Sequence, residues 1–361
     1  MQTPEDESFM RVALFHAKTG WGRVAPNPSV GCVIVKKGVI VAAQRTADGG
    51  RPHAETRALA QAGHEAKGAC VYVTLEPCAH RGQTGPCAQA LVRAGVARVV
   101  VACQDPDPRV SGQGLAQLQA GGVVVVTGVL EREARQGNQG FFYTLTQQRP
   151  WVTAKLAVSS DGRIACATGE RTQISGFLAD QYKHRLRTSH DAILIGIETA
   201  LADDPLLTAR IVGHSHVMRR IVLDANLRIP MDSMLVKSVG YDPLWVFYKA
   251  GSPDKIKALH ARGVRLFPID PYDIRHLLSV LATEGVTRLL VEGGARIHSA
   301  FLAEGVVDSF VLLKSPVRLG AGAVPALPAQ DIFALPAFSG LTLQKTRVLG
   351  EDLLEIYARP L

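Results

Sequence analysis

Hydrophobic runs alternate with amphipathic segments over the first 130 residues of the chain. Strand composition is found in the runs VGCVIVKKGVIVAAQ, CVYVTLEP, RVVVACQ and GGVVVVTG, and helical spacing in the intervening segments HAETRALAQAG, CAQALVRAG and GQGLAQLQAGG. The first run is predicted to form a hairpin that turns at Lys37-Gly38. The other strands are almost continuously apolar, which predicts βαβ units around a buried, largely parallel sheet.

The pattern restarts after residue 147, where RPWVTAKLAVSSDGRIA opens a strand that does not continue the earlier rhythm. Further strand candidates are AILIGI, RRIVLDA, PLWVFY, TRLLVEGG and SFVLLKSPV, helix candidates are GFLADQYKHRLRTS and DIRHLLSVLATEG, and the tail from Phe338 is predicted to add strands. A chain of 361 residues exceeds the size at which single cores usually stop growing. We therefore expect two α/β domains, residues 1–147 and 151–361.

Composition and charge narrow the class of protein. The chain is 47% hydrophobic and 20% charged, as soluble globular proteins are, and no apolar run approaches the ~20 residues of a membrane span. The first ten residues, MQTPEDESFM, are acidic and polar, unlike a secretory signal, so we expect a cytoplasmic protein without a membrane partner. The net charge of +8 is spread over both halves without a Lys/Arg block. Such a charge suits a phosphorylated small molecule at least as well as nucleic acid, and equally a plain soluble surface.

The six cysteines fall into different settings. Cys32, Cys70 and Cys103 lie in or beside apolar runs, where a thiol usually serves as a small buried hydrophobe. Cys78 and Cys87 instead lie in LEPCAHRGQTGPC, a polar stretch that has no need of thiols for packing. Without a signal sequence, cysteines in a long chain are more often buried, catalytic or metal-bound than joined in disulfides.

A candidate metal site combines these two cysteines with GGRPHAETRAL. His53 and Glu55 form a His-x-Glu pair at the start of a predicted helix. One imidazole and the thiolates of Cys78 and Cys87 are a natural three-ligand set for zinc, with the fourth position open to water. Glu55 would then move protons between that water and a leaving amine, which is the pattern of zinc deaminases. A structural zinc with His80 as fourth ligand, or two buried thiols, is the alternative.

Residues 8–145 resemble the deaminase half of the bifunctional riboflavin-biosynthesis enzymes, in which diaminohydroxyphosphoribosylaminopyrimidine deaminase is fused to 5-amino-6-(5-phosphoribosylamino)uracil reductase. The matching stretches are APNPSVGCVIV, GGRPHAE, YVTLEPCAHRGQTGPC and DPDPRVSGQG. The long spacing between the cysteines differs from that of the tRNA and cytidine deaminases, whose cysteines resemble Cys-x2-Cys. By this resemblance Asn27 holds the substrate and His80 lines its pocket. The chain departs from the family pattern at Gln83, where a cation is expected, at Gly85, and at Thr46, where a histidine is common.

The second half lacks the Gly-x-Gly-x-x-Gly signature of ordinary dinucleotide-binding folds. It does contain LLVEGGARIHSAFL, in which a strand passes through Gly-Gly into a helix. The free N–H groups at such a helix start suit phosphate, although Gly-Gly is also a routine strand-to-helix turn.

AKLAVSSDGRIA, DAILIGIETALADDPLLTAR and VEGGARIHSAFL resemble the reductase half of the same enzymes, a fold similar to dihydrofolate reductase. The cofactor residues that this resemblance implies are Ala157, Thr199, Asp203, Gly293 and Gly294, for NADPH. The substrate residues that it implies are Lys155, Arg187, Leu207, Arg210 and Glu292. An arginine fork matches phosphate oxygens, and Lys155 and Asp203 are candidates for polarising the ribose carbon. Asp203 also fits a simple turn or helix cap, and Arg187 a solvated helix face.

Two further features of the second half bear on the reductase. Gln173 stands where the family has a tryptophan beside the cofactor. The HSH sequence at residues 214–216 is interpreted as a solvated loop and not as a second metal site.

Taken together, the resemblance implies a cytidine-deaminase-like α/β/α sandwich followed by a dihydrofolate-reductase-like α/β domain. It further implies zinc and NADPH as cofactors, a phosphorylated pyrimidine as substrate and a homodimer. The implied reactions are deamination of the pyrimidinone and then reduction of its ribosyl chain. Two other hypotheses compete: a nucleic-acid deaminase with an accessory RNA-binding domain, and a non-catalytic zinc-binding regulator. The cysteine spacing and the lack of a basic, aromatic stripe disfavour the nucleic-acid hypothesis.

Overall fold

A computed structural model gives the coordinates of the chain. The structure describes residues 2–79, 85–108, 110–166, 173–211 and 217–360. The chain divides into two compact units, Met1–Gln147 and Gln148–Leu361. In the part of the chain that the structure describes, no helix is long and apolar enough to cross a membrane.

The first unit contains six α-helices and five strands among its described residues. In chain order these are α1 (Pro4–Lys18), β1 (Gly31–Lys36), β2 (Val39–Arg45), α2 (Ala54–Ala62), β3 (Cys70–Val73), α3 (Cys87–Arg93), β4 (Arg98–Val101), α4 (Gln113–Ala120), β5 (Val124–Thr127), α5 (Glu131–Gly137) and α6 (Gln139–Thr146). The strands form one sheet in the order β2-β1-β3-β4-β5. β1 is antiparallel to both β2 and β3, and β3, β4 and β5 are parallel to one another.

The predicted hairpin and the predicted parallel strands are confirmed. β1 and β2 are joined by Lys37 and Gly38, which have φ values of 50° and 78°. Two successive residues with positive φ give the turn whose twist matches that of the flanking strands. Because the register places the end of β3 beside the end of β4, side chains and loops that follow these strands meet at one edge of the sheet.

The helix α1 packs closely on β1 and is fixed at its N terminus by a buried charge. A methyl group at Gly31 would overlap the carbonyl oxygen of Ala13, so glycine is required at this crossing. The carboxylate of Asp6 accepts hydrogen bonds from Arg98 and from the hydroxyl of Tyr72. The hydrogen bond from Arg98 holds the pKa of Asp6 at about 2, well below the ordinary value for an aspartate. Asp6 therefore ties α1 to Tyr72 on β3 and to Arg98, the first residue of β4.

The second unit is built around a larger sheet. Its elements in chain order are β6 (Trp151–Val158), β7 (Arg163–Ala165), α7 (Phe177–Arg187), β8 (Ala192–Gly196), α8 (Ile197–Asp203), β9 (Arg219–Leu223), α9 (Met234–Lys237), β10 (Leu244–Phe247), α10 (Pro253–Ala261), β11 (Arg265–Phe267), α11 (Ile274–Thr283), β12 (Arg288–Val291), α12 (Ala295–Ala303), β13 (Ser309–Lys314), β14 (Val324–Pro325), α13 (Leu335–Ser339), β15 (Thr342–Leu349) and β16 (Asp352–Ala358).

Nine of these strands form one sheet in the order β11-β10-β9-β8-β12-β6-β13-β16-β15. The strands from β11 to β13 in this order are parallel to one another. β16 and β15, which are the strands predicted at the end of the chain, are added to the sheet in antiparallel orientation. β12 lies between β8 and β6, so the carboxyl ends of these three strands are neighbours. In open parallel sheets, ligands bind at this edge.

Candidate metal centre and reductase site

Three elements of the first unit bring the candidate metal ligands together. His53 is the residue that precedes the first turn of α2, and Cys87 is the first residue of α3. Cys78 lies in the irregular segment that follows β3. Two ligands thus sit at helix starts, where the backbone is held by the helix, and the third sits in a loop.

The geometry of these three side chains fits a metal ion. The Nδ1 atom of His53 lies 3.4 Å from the Sγ of Cys87 and 3.7 Å from the Sγ of Cys78. All three ligand atoms lie within 4.8 Å of one another. Zinc bonds of about 2.0–2.3 Å at tetrahedral angles separate ligand atoms by roughly 3.5 Å. One nitrogen and two sulfurs at this spacing are therefore a suitable donor set for zinc.

The local electrostatics favour a thiolate at this position. Hydrogen bonding from Cys87, reinforced by His53, lowers the pKa of the Cys78 thiol to about 4. The backbone N–H of Cys87 donates to the same sulfur at 3.4 Å. The pKa of Cys87 is raised, because its thiol donates a hydrogen bond to the sulfur of Cys78 and because the side chain is buried. Of the two thiols, that of Cys78 is therefore the more readily deprotonated.

Glu55 lies in the first turn of α2, two residues after His53, and is only 3% exposed. Burial disfavours its charged form and the neighbouring Cys78 repels it, which together raise the pKa of the carboxyl group to about 7. A carboxyl group that titrates near neutral pH both accepts and returns a proton readily. The sequence predicts such a proton-transfer role for Glu55, and that role stays a prediction.

Asn27 lies against the loop that leads to His53. Its side-chain amide packs so closely on Gly50 that a methyl group there would overlap it. The hydroxyl of Thr46 accepts a hydrogen bond from the N–H of Val30 at 3.0 Å and donates one to the carbonyl oxygen of Pro28 at 3.1 Å. Thr46 thus joins the two loops that flank Asn27. His80 and Gln83 lie outside the described residues.

In the second unit, two predicted substrate residues bind each other. Arg187, the last residue of α7, donates to the carboxylate of Glu292 through Nε at 2.9 Å and Nη2 at 2.7 Å. Its Nη1 donates to the carbonyl oxygen of Thr208 at 2.8 Å. Both side chains are 9% exposed. Burial by itself raises the pKa of Glu292, but the charge and hydrogen bonds of Arg187 outweigh it and leave the pKa at about 2.

Lys155, on β6, shares this environment. Burial lowers the pKa of its ammonium group, the negative charge of Glu292 opposes that effect, and the charges of Lys183 and Arg187 add to it. The buried ring of His298 links Lys155 to the Gly-Gly turn: its Nε2 lies 3.0 Å from the carbonyl oxygen of Lys155 and its Nδ1 lies 3.2 Å from that of Gly294.

The Gly-Gly turn meets Thr199 at the start of α12. A methyl group at Gly294 would lie 3.5 Å from the Oγ1 of Thr199, and one at Gly293 would lie 2.9 Å from Ile297. The structure therefore brings together three of the five predicted cofactor residues. Asp203 is exposed at the end of α8.

The remaining predicted residues lie on β6 or on the segment after α8. Ala157 is half-buried on β6, where it pairs with Leu313. Leu207 is buried with a φ of 55°. Arg210 is exposed, and its N–H donates to the Nδ1 of His184 at 3.2 Å.

The structure describes only some of the positions at which the second half differs from the family pattern. Gln173 is exposed, and its Nε2 donates to the carbonyl oxygen of Ser175 at 3.4 Å. Residues 171 and 172 and the HSH sequence at 214–216 lie outside the described residues.

Sequence reasoning missed one residue that shapes the metal centre. Glu76 directly precedes Pro77 and Cys78, and its buried carboxylate accepts hydrogen bonds from residues 29 to 39 positions further along the chain. The sequence offered one indication of this role, the position of Glu76 two residues before the predicted ligand Cys78.

Comparison with protein families accounts for both units. The cytidine and deoxycytidylate deaminase zinc-binding region matches residues 3–103, and the RibD C-terminal domain matches residues 150–354. The chain belongs to the RibD family. The RibD C-terminal match alone spans more than half of the chain, and it follows the zinc-binding match in the order that the sequence predicted.

Relatives in the RibD family match over nearly the full length. The riboflavin biosynthesis protein RibD of Aquifex aeolicus is 38% identical over 356 residues, which cover 98% of each chain. The solved structure of Acinetobacter baumannii RibD superposes with a TM-score of 0.88 at 36% identity over 99% of both chains. The Thermotoga maritima diaminohydroxyphosphoribosylaminopyrimidine deaminase/5-amino-6-(5-phosphoribosylamino)uracil reductase has a TM-score of 0.86 at 30% identity, over 98% of this chain and 99% of its own.

Membership in the RibD family confirms several predictions. The fold is a cytidine-deaminase-like domain followed by a reductase domain. The protein is an enzyme of riboflavin biosynthesis with deaminase and reductase activities, and its cofactors are zinc and NADPH. Its substrate is a small molecule, so the hypotheses of a nucleic-acid deaminase and of a non-catalytic regulator are not favoured.

Proposed function

We propose that the chain deaminates 2,5-diamino-6-(5-phosphoribosylamino)pyrimidin-4-one by hydrolysis and then reduces the ribosyl group of the product to a ribityl chain with NADPH. The observation that carries the first step is the convergence of His53, Cys78 and Cys87 beside the buried Glu55. The named activities of the Thermotoga maritima relative support the choice of substrate.

In the deaminase step, His53, Cys78 and Cys87 would hold zinc, which would supply the Lewis acid that makes the attacking water molecule more acidic. A carboxylate oxygen of Glu55 takes one proton from that water while the water oxygen bonds to C2 of the pyrimidinone. Glu55 then gives the proton to the departing amino group, which leaves as ammonia. Asn27 and His80 hold the substrate. The pKa of Glu55, about 7, suits both transfers because neither protonation state is strongly favoured.

In the reductase step, the start of α12 holds the cofactor. Thr199, Gly293 and Gly294 surround this helix start, whose free N–H groups suit a phosphate of NADPH. Ala157 and Asp203 complete the cofactor contacts. NADPH would supply the hydride to the ribose carbon bonded to nitrogen as that carbon loses its bond to the ring oxygen, and the ring oxygen would take a proton.

In this proposal the substrate of the reductase step is held by residues around the buried ion pair. Lys155, whose pKa is lowered by burial and whose charge interacts with Glu292, is the proton source in this proposal. The donors of Arg187 are engaged with Glu292 and with the carbonyl oxygen of Thr208, so we propose that Arg187 acts by orienting Glu292. The exposed guanidinium of Arg210 takes the substrate phosphate, and Leu207 packs on the substrate.

We also infer a cytoplasmic location and a homodimer. All six cysteines are free, and a site with two thiolate ligands requires a compartment that keeps thiols reduced. The homodimer follows from the family resemblance, and sedimentation of the purified protein measures it.

The experiment is an assay that follows ammonia release and NADPH oxidation separately on zinc-replete protein with the diaminopyrimidinone substrate. We expect both signals, and absence of both would overturn the proposal. Cys87→Ser should lose zinc and ammonia release while it still oxidises NADPH with substrate deaminated beforehand. The matched control is Cys70→Ser, a half-buried thiol at the start of β3, which should retain both activities.

A further inference from the structure

The loop that carries Cys78 is held by contacts with the start of α4. Glu76, two residues before Cys78, is 3% exposed, and both oxygens of its carboxylate accept hydrogen bonds from backbone N–H groups. The donors are Gly114 (2.9 Å) and Leu115 (3.3 Å) on Oε1, and Gly112 (3.0 Å) and Asp105 (3.3 Å) on Oε2. These bonds fix the loop before Cys78 to the helix start and to the segment after β4.

Two further contacts join α4 to the same loop. A methyl group at Gly114 would overlap the carbonyl oxygen of Pro77, so the backbones of the helix and the loop are in direct contact and leave no room for a side chain. On the far side of Cys78, the Nε2 of Gln117 donates to the carbonyl oxygen of Ala79 at 3.2 Å. The residues on both sides of Cys78 are therefore held by one helix.

The chemistry of these contacts requires a carboxylate. The four partners of Glu76 are all N–H donors, and the free N–H groups of a helix start also stabilise a negative charge. An amide in place of the carboxylate would turn its own NH2 group towards one pair of donors. Glutamine therefore preserves the size of the side chain and breaks the contacts on one side.

We propose that Glu76 is a positioning residue for the metal ligand Cys78. His53 and Cys87 are placed by the helices α2 and α3, whereas the sulfur of Cys78 is placed by a loop whose position depends on Glu76 and α4. Residues that orient a metal ligand commonly change metal affinity or activity by about 10–100-fold when they are replaced. The inference rests on the proposed ligand set of His53, Cys78 and Cys87.

The test is the zinc affinity of the full-length Glu76→Gln variant, measured by competition with a chelator. We expect zinc binding to weaken at least about 10-fold. Ammonia release should fall at limiting zinc and recover as free zinc is raised, while NADPH oxidation with substrate deaminated beforehand is unchanged. A purely structural role would lower the maximum activity and leave the zinc concentration for half-activation where it is in the wild type.

Asp6→Asn is the matched control. Asp6 is also a buried carboxylate of the same unit, but its partners are the side chains of Arg98 and Tyr72 and none of the residues that hold the loop around Cys78. Its replacement should lower the unfolding temperature and leave zinc affinity unchanged. If Asp6→Asn weakened zinc binding as much as Glu76→Gln did, general destabilisation would explain both results and the inference would be wrong.

The remaining outcomes separate this inference from the proposed function. Wild-type protein that binds no zinc overturns the ligand set itself. Wild-type zinc affinity in Glu76→Gln overturns only the role of Glu76. If Glu76→Gln does not fold, Gln117→Ala removes the single bond to Ala79 and should weaken zinc binding in the same direction by a smaller factor. Unchanged zinc affinity in Gln117→Ala would then overturn the inference.

Discussion

The guanidinium of Arg187 and the carboxylate of Glu292 form a buried, bidentate ion pair that joins the end of α7 to the end of β12. The two residues lie 105 positions apart in the sequence. Each is needed to neutralise the other, because an uncompensated charge inside a protein is far more costly than one at the surface. The stability of the second unit therefore depends on this pair, and by the proposed function the reductase activity does too.

Glu292→Gln should destabilise the second unit by about 3 kcal/mol, because it leaves the guanidinium of Arg187 without its counter-charge. Urea unfolding followed by the fluorescence of Trp151 and Trp245 measures this free energy. Glu284→Gln is the control. It removes one partner of a bidentate but partly exposed pair with Arg265 and should cost less than about 1 kcal/mol. Equal losses in the two variants would contradict the prediction.

The same pair should make stability depend on acidity. The pKa of Glu292 is about 2 in the folded protein, against an ordinary 4.5, so the stabilisation is complete above about pH 4.5 and is lost as the pH falls towards 2. The shift corresponds to roughly 3 kcal/mol. The difference in unfolding free energy between wild type and Glu292→Gln should therefore shrink steadily from pH 5 to pH 3. A difference that stays constant over this range would rule out the ion pair as its source.

Glu55→Gln should retain zinc and lose deamination. An amide cannot accept the proton of the attacking water, and general acid–base groups typically contribute about 10²–10⁴-fold to the rate. Ammonia release and bound zinc, measured on the same sample, test both halves of this expectation. Glu65→Gln, an exposed position just after α2, should behave as wild type. Loss of zinc from Glu55→Gln would instead make Glu55 a ligand or a structural residue.

Gly31→Ala should destabilise the first unit by about 1–3 kcal/mol, because the added methyl group overlaps the carbonyl oxygen of Ala13 and forces α1 away from β1. Thermal unfolding and zinc content of the variant measure this effect. Gly240→Ala is the control, since a methyl group there meets open space. A Gly31→Ala variant as stable as Gly240→Ala would show that α1 adjusts without cost.

Much of the fold could be predicted from local patterns. The hairpin at Lys37 and Gly38 and the parallel strands after it follow from turn chemistry and from continuous apolar runs, and both are local signals. α1 was not identified, because its first turn carries three acidic residues and its few buried positions give a weak apolar stripe. β11 has only three residues, which is too short for any periodicity to be recognised.

The site was predictable where chemistry is local and unpredictable where it depends on distant partners. His53 and Glu55 are two residues apart, and their spacing with the cysteines is enough to indicate a zinc deaminase. Arg187 and Glu292 were each predicted to contact the substrate, whereas the structure shows that they bind each other; direct contact with the substrate stays a prediction. Glu76 could not be assigned because its four partners, at the start of α4 and in the segment after β4, come beside it only in the folded chain.

Leu207 adopts a left-handed backbone conformation that is uncommon for a leucine, and its neighbours Leu206 and Thr208 are held through their carbonyl oxygens by Arg220 and Arg187. That conformation costs about 1–2 kcal/mol, whereas full burial of a leucine side chain contributes roughly 1.5–3 kcal/mol. Packing thus offsets the strain, and substitution at this position is restricted in two ways. Alanine would keep the strain and lose the packing, while glycine would lose both, so the segment has little freedom to vary in sequence.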